Sequence, residues 1–429
     1  MTTRQRSAPH WLPCFRVGAP DLDAAAATAH PGAPLLAQPP LSWLLILGAL
    51  MAFAPMSIDM YLPSLPTIAA EFGENPAAAQ FTLASFFIGL ALGQALHGPL
   101  ADRYGRKPPL YAGLALYTVA SVGCALASDI ATLTAWRFVQ AVGGCAGIVI
   151  ARAVVRDRFD AHTSARVYSL LMLVMGLAPI LAPIIGGWIL VLAGWRAIFA
   201  TLALFGLVCL LVSWRYLPET RPADTVSSSG IGAALRVYGE LLRDRRFIGY
   251  TLSGGFAHAG LFAYITGSPH VFIELYGVPA WAYGWLFGLN ALGLIASSQI
   301  NRRLLLRYSA DAILRRANRT TVVLGLALLM VAAGGWGGLP MLLIPLFGYL
   351  ASLGFTAPNA MAEALADQGV RAGSASALIG TLQFGVATVS SALVGLLGGS
   401  ALSMTAVIAG CGLLAYGTHR ALVGNGGVS

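Results

Sequence analysis

Twelve mainly apolar stretches, each long enough to cross a lipid bilayer as a helix, follow one another along this chain of 429 residues. A helix needs about 20 such residues to span the hydrocarbon core, so the stretches predict a multi-pass membrane protein. Only 10% of the residues are charged, whereas soluble domains carry about 25%, and this excludes a large solvated surface. The predicted spans 1 to 12 are residues 42–67, 79–101, 109–127, 130–154, 166–192, 196–217, 247–275, 281–301, 318–336, 340–363, 373–398 and 401–422.

The basic residues predict the orientation in the membrane. All but Arg137 and Arg196 of the 26 lysines and arginines fall in the tails or in alternate loops, on one side of the predicted bundle. Cytoplasmic loops carry an excess of Lys and Arg, so we expect both termini in the cytoplasm. The net charge of +9 then reflects topology and not nucleic-acid binding, which needs basic residues clustered on one surface.

The longest polar segment between spans divides the chain into halves. We predict a disordered cytoplasmic tail, two six-helix bundles joined by a central cytoplasmic loop, and a second tail. Their bounds are 1–40, 41–217, 218–246, 247–422 and 423–429. Two matching halves are typical of secondary transporters built from repeats. The sequence has no GxxxxGK[ST] loop, which disfavours an ATP-driven pump.

Two opposite charges lie inside spans at a similar predicted depth, namely Asp59 in span 1 and Arg137 in span 4. An ionisable residue at the bilayer centre costs about 2.5–3.5 kcal/mol on insertion scales, which makes it a candidate functional residue. One interpretation is a permanent ion pair that cancels two unfavourable charges. The other is that Asp59 exchanges a proton while Arg137 tunes its proton affinity. The sequence leaves both open.

Span 7 supplies further candidates. His258 and His270 can either titrate near neutral pH or pack through hydrogen bonds, and the aromatic rings there can line an apolar cavity or fill the core. The residues that we expect to line a substrate cavity are Tyr61, Phe262, Tyr264, Asn290 and Gln383. The five cysteines form no CxxC pair, so we expect no metal site, and no cofactor apart from a coupling proton.

The loop after span 2 carries a compact group of charges. Asp102 can pair with an arginine, Gly105 permits a tight turn, and Arg106 can reach an acidic partner or a helix C-terminus. The group can latch two helices together in one conformation, or it can serve only as a positive anchor in the cytoplasm.

Three segments resemble motifs of the major facilitator superfamily. The loop after span 2 resembles motif A, with Gly98, Asp102, Arg103, Gly105 and Arg106 at the matching positions. Residues 137–140 with the glycines at 143 and 144 resemble motif B, whose arginine is tied to proton coupling. Residues 175–187 resemble motif C, which marks antiporters, although an alanine at 182 replaces a common glycine. Its matching residues are Gly176, Pro179, Pro183, Gly186 and Gly187.

The resemblance is closer to the bicyclomycin-resistance (Bcr/CflA) branch of drug–proton antiporters. It rests on residues 59–63, 263–269, 287–291, 298–301 and 373–377. It implies an all-α membrane protein with twelve transmembrane helices in two six-helix bundles. It also implies export of small, mostly apolar compounds across the bacterial inner membrane in exchange for protons, with Asp59 as the proton carrier and Arg137 as its partner.

Within this resemblance, motif A would hold the outward-facing state and motif C would seal the inward leak. The counterpart of motif A after span 8 has lost its Asp-Arg-x-Gly core. The alternative function is a facilitator or exporter of an endogenous metabolite. We expect a monomer that binds lipid and a small molecule, no nucleic acid, and no enzymatic activity.

Overall fold

The computed structural model describes residues 40–159, 161–220, 231–368 and 371–424, and every regular element in these ranges is a helix. The twelve predicted spans are all present, which confirms the predicted fold class. Span 1 is broken into Leu41–Met51, Phe53–Asp59, the 3-10 turn Leu62–Ser64 and Leu65–Phe72. Spans 2 to 6 are Pro76–Tyr104, Lys107–Ala125, Ile130–Arg158, Ala161–Ala193 and Trp195–Tyr216. Spans 7 to 12 are Arg245–Pro269, Ala280–Leu304, Ala310–Gly334, Gly338–Leu365, Ala372–Leu396 and Ala401–Thr418.

Hydropathy identifies most but not all of these helices as membrane spans. In the described part of the chain, eight helices are long and apolar enough, and span 1, bent by 42°, makes a ninth. Spans 3, 7 and 8 are 19, 25 and 25 residues long but contain more polar and small residues. Span 7 is buried along most of its length by other helices, so it exposes little surface that would have to be apolar.

The two halves meet along two pairs of helices. Span 2 packs against span 11, and span 5 packs against span 8. The end of the bundle that carries the loops after spans 2, 4, 6, 8 and 10 holds most of the arginines, and we call it the arginine-rich end. There a cavity of about 480 Å³ lies between the halves, lined by Asp102 and Arg152 on one side and by Ser374 on the other.

The central loop contains a helix that the sequence analysis did not predict. Helix Ile231–Leu241 lies against the start of span 11, where Glu240 forms a 3.0 Å ion pair with Arg371. Tyr238 of this helix lines the 480 Å³ cavity. The segment 218–246 is therefore in part an ordered element at the mouth of the cavity. The predicted disordered tail 1–40, apart from Pro40, lies outside the described residues, as does most of the tail 423–429.

Candidate functional site

Asp59 lies where span 1 breaks. It ends helix Phe53–Asp59, and the turn that follows contains Pro63, which cannot donate a backbone hydrogen bond. The side chain is buried, with 4% of the residue exposed. Among the described residues, none forms an ion pair or a side-chain hydrogen bond with Asp59. A carboxyl group thus lies in the protein interior without a counter-ion.

A cluster of hydroxyl groups from the second half lies close enough to Asp59 to interact with it electrostatically, through Tyr264 and Tyr283. Asn290 donates a 3.0 Å hydrogen bond to the Tyr264 hydroxyl. The Tyr283 hydroxyl is 2.8 Å from that of Ser268. The predicted site residues Tyr264 and Asn290 therefore come together, and Tyr264 lies within electrostatic range of a carboxyl group of the other half.

The sequence analysis missed Ser268 and Tyr283. Ser268 stands inside the segment 263–269, which had been noted only as a resemblance. A helical pattern could have identified Tyr283, because Tyr283, Phe287 and Asn290 recur at i, i+4 and i+7 on one face of span 8. The ring of Phe287 stacks on that of Tyr264 at 5.4 Å.

Arg137 is fully buried within the first half. Its guanidinium lies over the ring of Phe86 at 4.1 Å and over that of Tyr61 at 4.6 Å, a cation–π arrangement that stabilises a desolvated cation. It also donates a 2.7 Å hydrogen bond to Gln140. Its Nε and Nη2 have no hydrogen-bond partner among the described residues. The structure does not bring Arg137 to Asp59, so the predicted pair is not formed in this conformation.

Tyr61 lies inside the first half and not at the interface between the halves, contrary to the prediction that it lines the substrate cavity. Its hydroxyl is 2.9 Å from that of Thr82, and its ring packs under Arg137 and against Phe199. It therefore serves to enclose the guanidinium.

The predicted cavity residues Phe262 and Gln383 lie where spans 2, 7 and 11 meet. Phe262 packs edge-on against Phe87 of the first half, with ring centroids 4.7 Å apart. Gln383 is half-buried on span 11. His258 lies beside Phe262, and its Nδ1 is buried without a hydrogen-bond partner in the described part of the chain. This region forms an aromatic contact across the halves.

The two histidines of span 7 occupy different surroundings. His270 begins the π-helix His270–Leu275, and its Nδ1 is 2.6 Å from Oε2 of Glu274. This pair lies at the end of the bundle opposite the arginines, whereas His258 lies near the middle of span 7.

The loop after span 2 forms an ion-pair cluster centred on Arg106. Its guanidinium donates to Asp157 at 2.8 Å and to Asp102 at 2.7 Å, and the backbone N–H groups of Arg106 and Lys107 donate to Glu219. Burial lowers the pKa of the Arg106 guanidinium, but its bonds to Asp157 and Asp102 outweigh burial and hold that pKa above its ordinary value. The cluster ties span 2 to span 4 and to the segment after span 6.

Gly105 has φ of 91°, a conformation that glycine adopts without strain, so the predicted tight turn is present. Gly98 and Asp102 line the 480 Å³ cavity, and the guanidinium of Arg103 lies 5.4 Å from the ring of Tyr104. Asp157 and Glu219 escaped the sequence analysis, because nothing in the residues around them distinguishes them from ordinary loop charges.

The glycines of segment 175–187 permit very close packing. A Cβ at Gly186 would lie 2.0 Å from the carbonyl oxygen of Met60, beside Asp59, and one at Gly187 would lie 2.6 Å from that of Ala280. Gly176 is less constrained, since a Cβ there would lie 3.3 Å from the side chain of Ile295. Span 5, with Pro179 and Pro183 inside it, thus packs between the break of span 1 and the start of span 8.

Comparisons with known proteins agree with this architecture. The family model described as Major Facilitator Superfamily matches residues 45–392. An uncharacterized MFS-type transporter, YdgK of Bacillus subtilis, is 38% identical over 85% of this chain and 90% of its own. A bicyclomycin resistance protein homolog of Haemophilus influenzae is 34% identical over 82% and 88%. The multidrug resistance protein MdtL of Escherichia coli is 32% identical over 78% and 83%.

Solved structures share the fold at low sequence identity. A peptide transporter in complex with alafosfalin superposes with a TM-score of 0.71 at 14% identity, over 89% of this chain and 93% of its own. A bacterial homolog of the lysosomal transporter Spinster, in an inward-facing conformation, gives 0.68 at 15% identity, over 90% and 98%.

Proposed function

The chain belongs to the Major Facilitator Superfamily, and on that premise we propose that it is a proton-coupled antiporter that exports small, mostly apolar drugs or toxic compounds. It works by alternating access in the inner membrane of a bacterium, as a monomer with both termini in the cytoplasm. The relatives named for bicyclomycin and multidrug resistance support the substrate class. Membership of a transporter family also means that the chain is not an enzyme.

The observation that carries this proposal is the buried carboxyl of Asp59 between the halves. An ionised carboxylate without a counter-ion is unfavourable in a water-poor interior, so the neutral, protonated form suits this conformation. For protons to drive export, the carboxyl takes up a proton while it is open to the outside, where protonation releases the exported compound. It loses that proton to the cytoplasm when water or an incoming compound reaches it from the arginine-rich end, so each cycle moves one proton inward.

Arg137 acts, in this proposal, on the ionised state of Asp59. Two of its nitrogens, Nε and Nη2, are buried without a partner among the described residues, and their N–H groups are available to an anionic acceptor. A movement of the broken span 1 brings the carboxylate toward these donors while the exported compound is carried outward, before a proton from outside neutralises the carboxylate. The cation–π contacts with Phe86 and Tyr61 keep the guanidinium desolvated but stable until then.

The cavity at the arginine-rich end supports an inward-facing assignment of this conformation. Asp102 and Ser374 line the same cavity from opposite halves. The side chain of Asp102 is 52% exposed. Closure of this end brings Asp102 to span 11, where it completes a latch that holds the outward-facing state.

The membrane potential supplies enough energy for export. One charge crossing about 100 mV supplies roughly 2.3 kcal/mol, which sustains about a fiftyfold gradient of a neutral substrate.

The test uses inside-out vesicles that contain the protein and carry a proton gradient. Addition of a drug that is exported should release protons from the wild-type vesicles, and Asp59→Asn should abolish this release. Asp59→Glu, which keeps a carboxyl group, should retain part of it. Glu74→Gln removes an exposed carboxyl by the same chemical change and should behave as wild type. Drug accumulation in Asp59→Asn equal to that of wild type would refute the coupling role.

A panel of compounds decides between drug export and the alternative. Strains that express or lack the protein should differ in susceptibility to apolar drugs. If no drug distinguishes the strains while an endogenous metabolite is exchanged by the vesicles, the protein is a metabolite exporter and the drug assignment fails.

A further inference from the structure

A second cavity, separate from the space between the halves, lies between spans 9 and 12 at the arginine-rich end. Its volume is about 130 Å³. Its lining is almost wholly cationic or polar, and consists of Arg315, Arg319, Tyr416, His419 and Arg420. The transport mechanism proposed above makes no use of these residues.

The cavity has a surplus of positive charge. Arg315 lies 3.3 Å from Asp311, and this carboxylate also accepts a 3.0 Å hydrogen bond from Tyr250. Within the described ranges, no carboxylate forms an ion pair with Arg319 or Arg420. Guanidinium groups held around one cavity repel one another, and a bound anion would relieve that repulsion.

His419 gives a second, independent indication of a ligand. It is 4% exposed, and neither ring nitrogen has a hydrogen-bond partner in the part of the chain that the structure describes. Its Nε2 lies 3.5 Å from Oδ1 of Asp311, which is an ion-pair contact when the ring is protonated but is longer than a good hydrogen bond. A buried polar group without a partner is unfavourable. His419 also begins the π-helix His419–Val423, and π-helical turns occur often at functional sites.

The depth of the arginines indicates where the anion comes from. Arg319 lies 15 residues before the end of span 9 at Gly334, a rise of about 23 Å. Arg420 lies 19 residues after the start of span 12 at Ala401, a rise of about 29 Å. The hydrocarbon core is about 30 Å thick, so Arg420 lies near its boundary at the arginine-rich end. Arg319 lies several ångströms deeper, at a depth from which a long arginine side chain can extend toward the headgroups.

An apolar groove lies on the other side of span 9. Its volume is about 450 Å³, its walls include Ile313, Leu324 and Phe355, and Arg316 lies at it. The same helix thus presents arginines beside a surface suited to acyl chains. The groove indicates that lipid acyl chains contact span 9 at this level, so a lipid is at hand to supply the anion for the cavity on the other side of the helix.

We propose that the cavity between spans 9 and 12 binds the phosphate of an anionic phospholipid headgroup, with Arg319, Arg420 and His419 as its donors. Charge-assisted hydrogen bonds of this kind are about twice as strong as neutral ones. Basic pockets between spans on the cytoplasmic side suit anionic headgroups.

The test is native mass spectrometry of the purified full-length protein in detergent, titrated with phosphatidylglycerol or phosphatidylcholine. The wild type should bind phosphatidylglycerol more tightly, and Arg319→Gln combined with Arg420→Gln should weaken it by roughly tenfold or more. Arg243→Gln combined with Arg245→Gln removes two exposed arginines from the same end and should not weaken it. Circular dichroism and elution volume check that each variant is folded.

Inorganic phosphate at millimolar concentration distinguishes the two sources of the anion. It should compete poorly with phosphatidylglycerol. Equal competition would overturn the lipid assignment in favour of a soluble phosphate. The site would be overturned altogether if both double variants lost phosphatidylglycerol binding equally. It would also be overturned if the wild type did not prefer phosphatidylglycerol over phosphatidylcholine.

Discussion

The close approach of span 5 to span 1 gives a prediction whose magnitude follows from the structure. In Gly186→Ala the new Cβ would lie 2.0 Å from the carbonyl oxygen of Met60, whereas a carbon and an oxygen normally approach to about 3.3 Å. The two backbones must therefore separate by roughly 1.3 Å. Overpacking of this kind costs about 1–3 kcal/mol.

The matched control lies in the same helix. In Gly176→Ala the Cβ would lie 3.3 Å from Cδ1 of Ile295, the end of a flexible side chain that can move. Both substitutions gain the same helix propensity, about 0.8–1.0 kcal/mol, so the difference between them isolates the backbone contact. We expect Gly176→Ala to be neutral or slightly stabilising, and Gly186→Ala to be less stable than Gly176→Ala by about 1–3 kcal/mol.

The assay is the half-life of the folded, monodisperse protein in one detergent at a fixed temperature, because membrane proteins of this size often unfold irreversibly. If the contact is already broken in the transition state for unfolding, each loss of about 1.4 kcal/mol in the stability of the folded protein shortens its half-life about tenfold. Equal half-lives of the two variants would refute the reasoning, since they would show that span 5 accommodates a methyl group at either position.

Two further predictions concern charges outside the membrane. Asp157→Asn should destabilise the protein by about 3 kcal/mol, because it breaks an ion pair whose side chains are only 6% and 8% exposed. Asp102→Asn, at a 52% exposed position, should cost much less, and equal unfolding half-lives of the two would contradict this. Asp129 caps span 4, and the backbone N–H of Thr132, together with its hydroxyl, lowers the pKa of Asp129. The folded pKa is below the unfolded one, so the cap stabilises above about pH 4 and is lost as pH falls through the folded pKa. Asp129→Ala should therefore melt below wild type at pH 7, with the gap closing in acid, whereas the gap between Asp129→Ser and Asp129→Ala should not depend on pH.

The apolar stretches of the sequence predicted all twelve spans but not all of their ends. Span 9 begins at Ala310, eight residues before the predicted start at 318, because Ser309 caps it by accepting a hydrogen bond from the Ala312 N–H. Residues 310–317 are good helix formers but are not uniformly apolar. A hydropathy score measures how well a stretch of sequence transfers into lipid hydrocarbon. It therefore cannot detect the part of a helix that continues beyond the hydrocarbon into the headgroup region.

The sequence located the two buried charges but not their partners. The position of a residue along a span gives its depth in the membrane but not the direction in which its side chain points around the helix axis. Arg137 and Asp59 therefore lie at a similar depth without being in contact. Tyr61 shows the same effect. It follows Asp59 by two residues, which is about 200° around a helix, and it therefore points into the first half. The cluster of Tyr264 and Asn290 was predictable in part, because the opposite face of span 8 carries exposed apolar residues such as Leu289 and Leu292, so a polar Asn290 has to point into the bundle.

Helix Ile231–Leu241, which belongs to neither half, forms part of the entrance of the cavity. Tyr238 lines the cavity, and the ion pair of Glu240 with Arg371 holds its helix to span 11. The size of the entrance therefore depends on a segment whose sequence is free of the constraints that govern membrane spans. We expect that exchange of this one connector between related transporters changes access to the cavity, while the bundle around it stays the same.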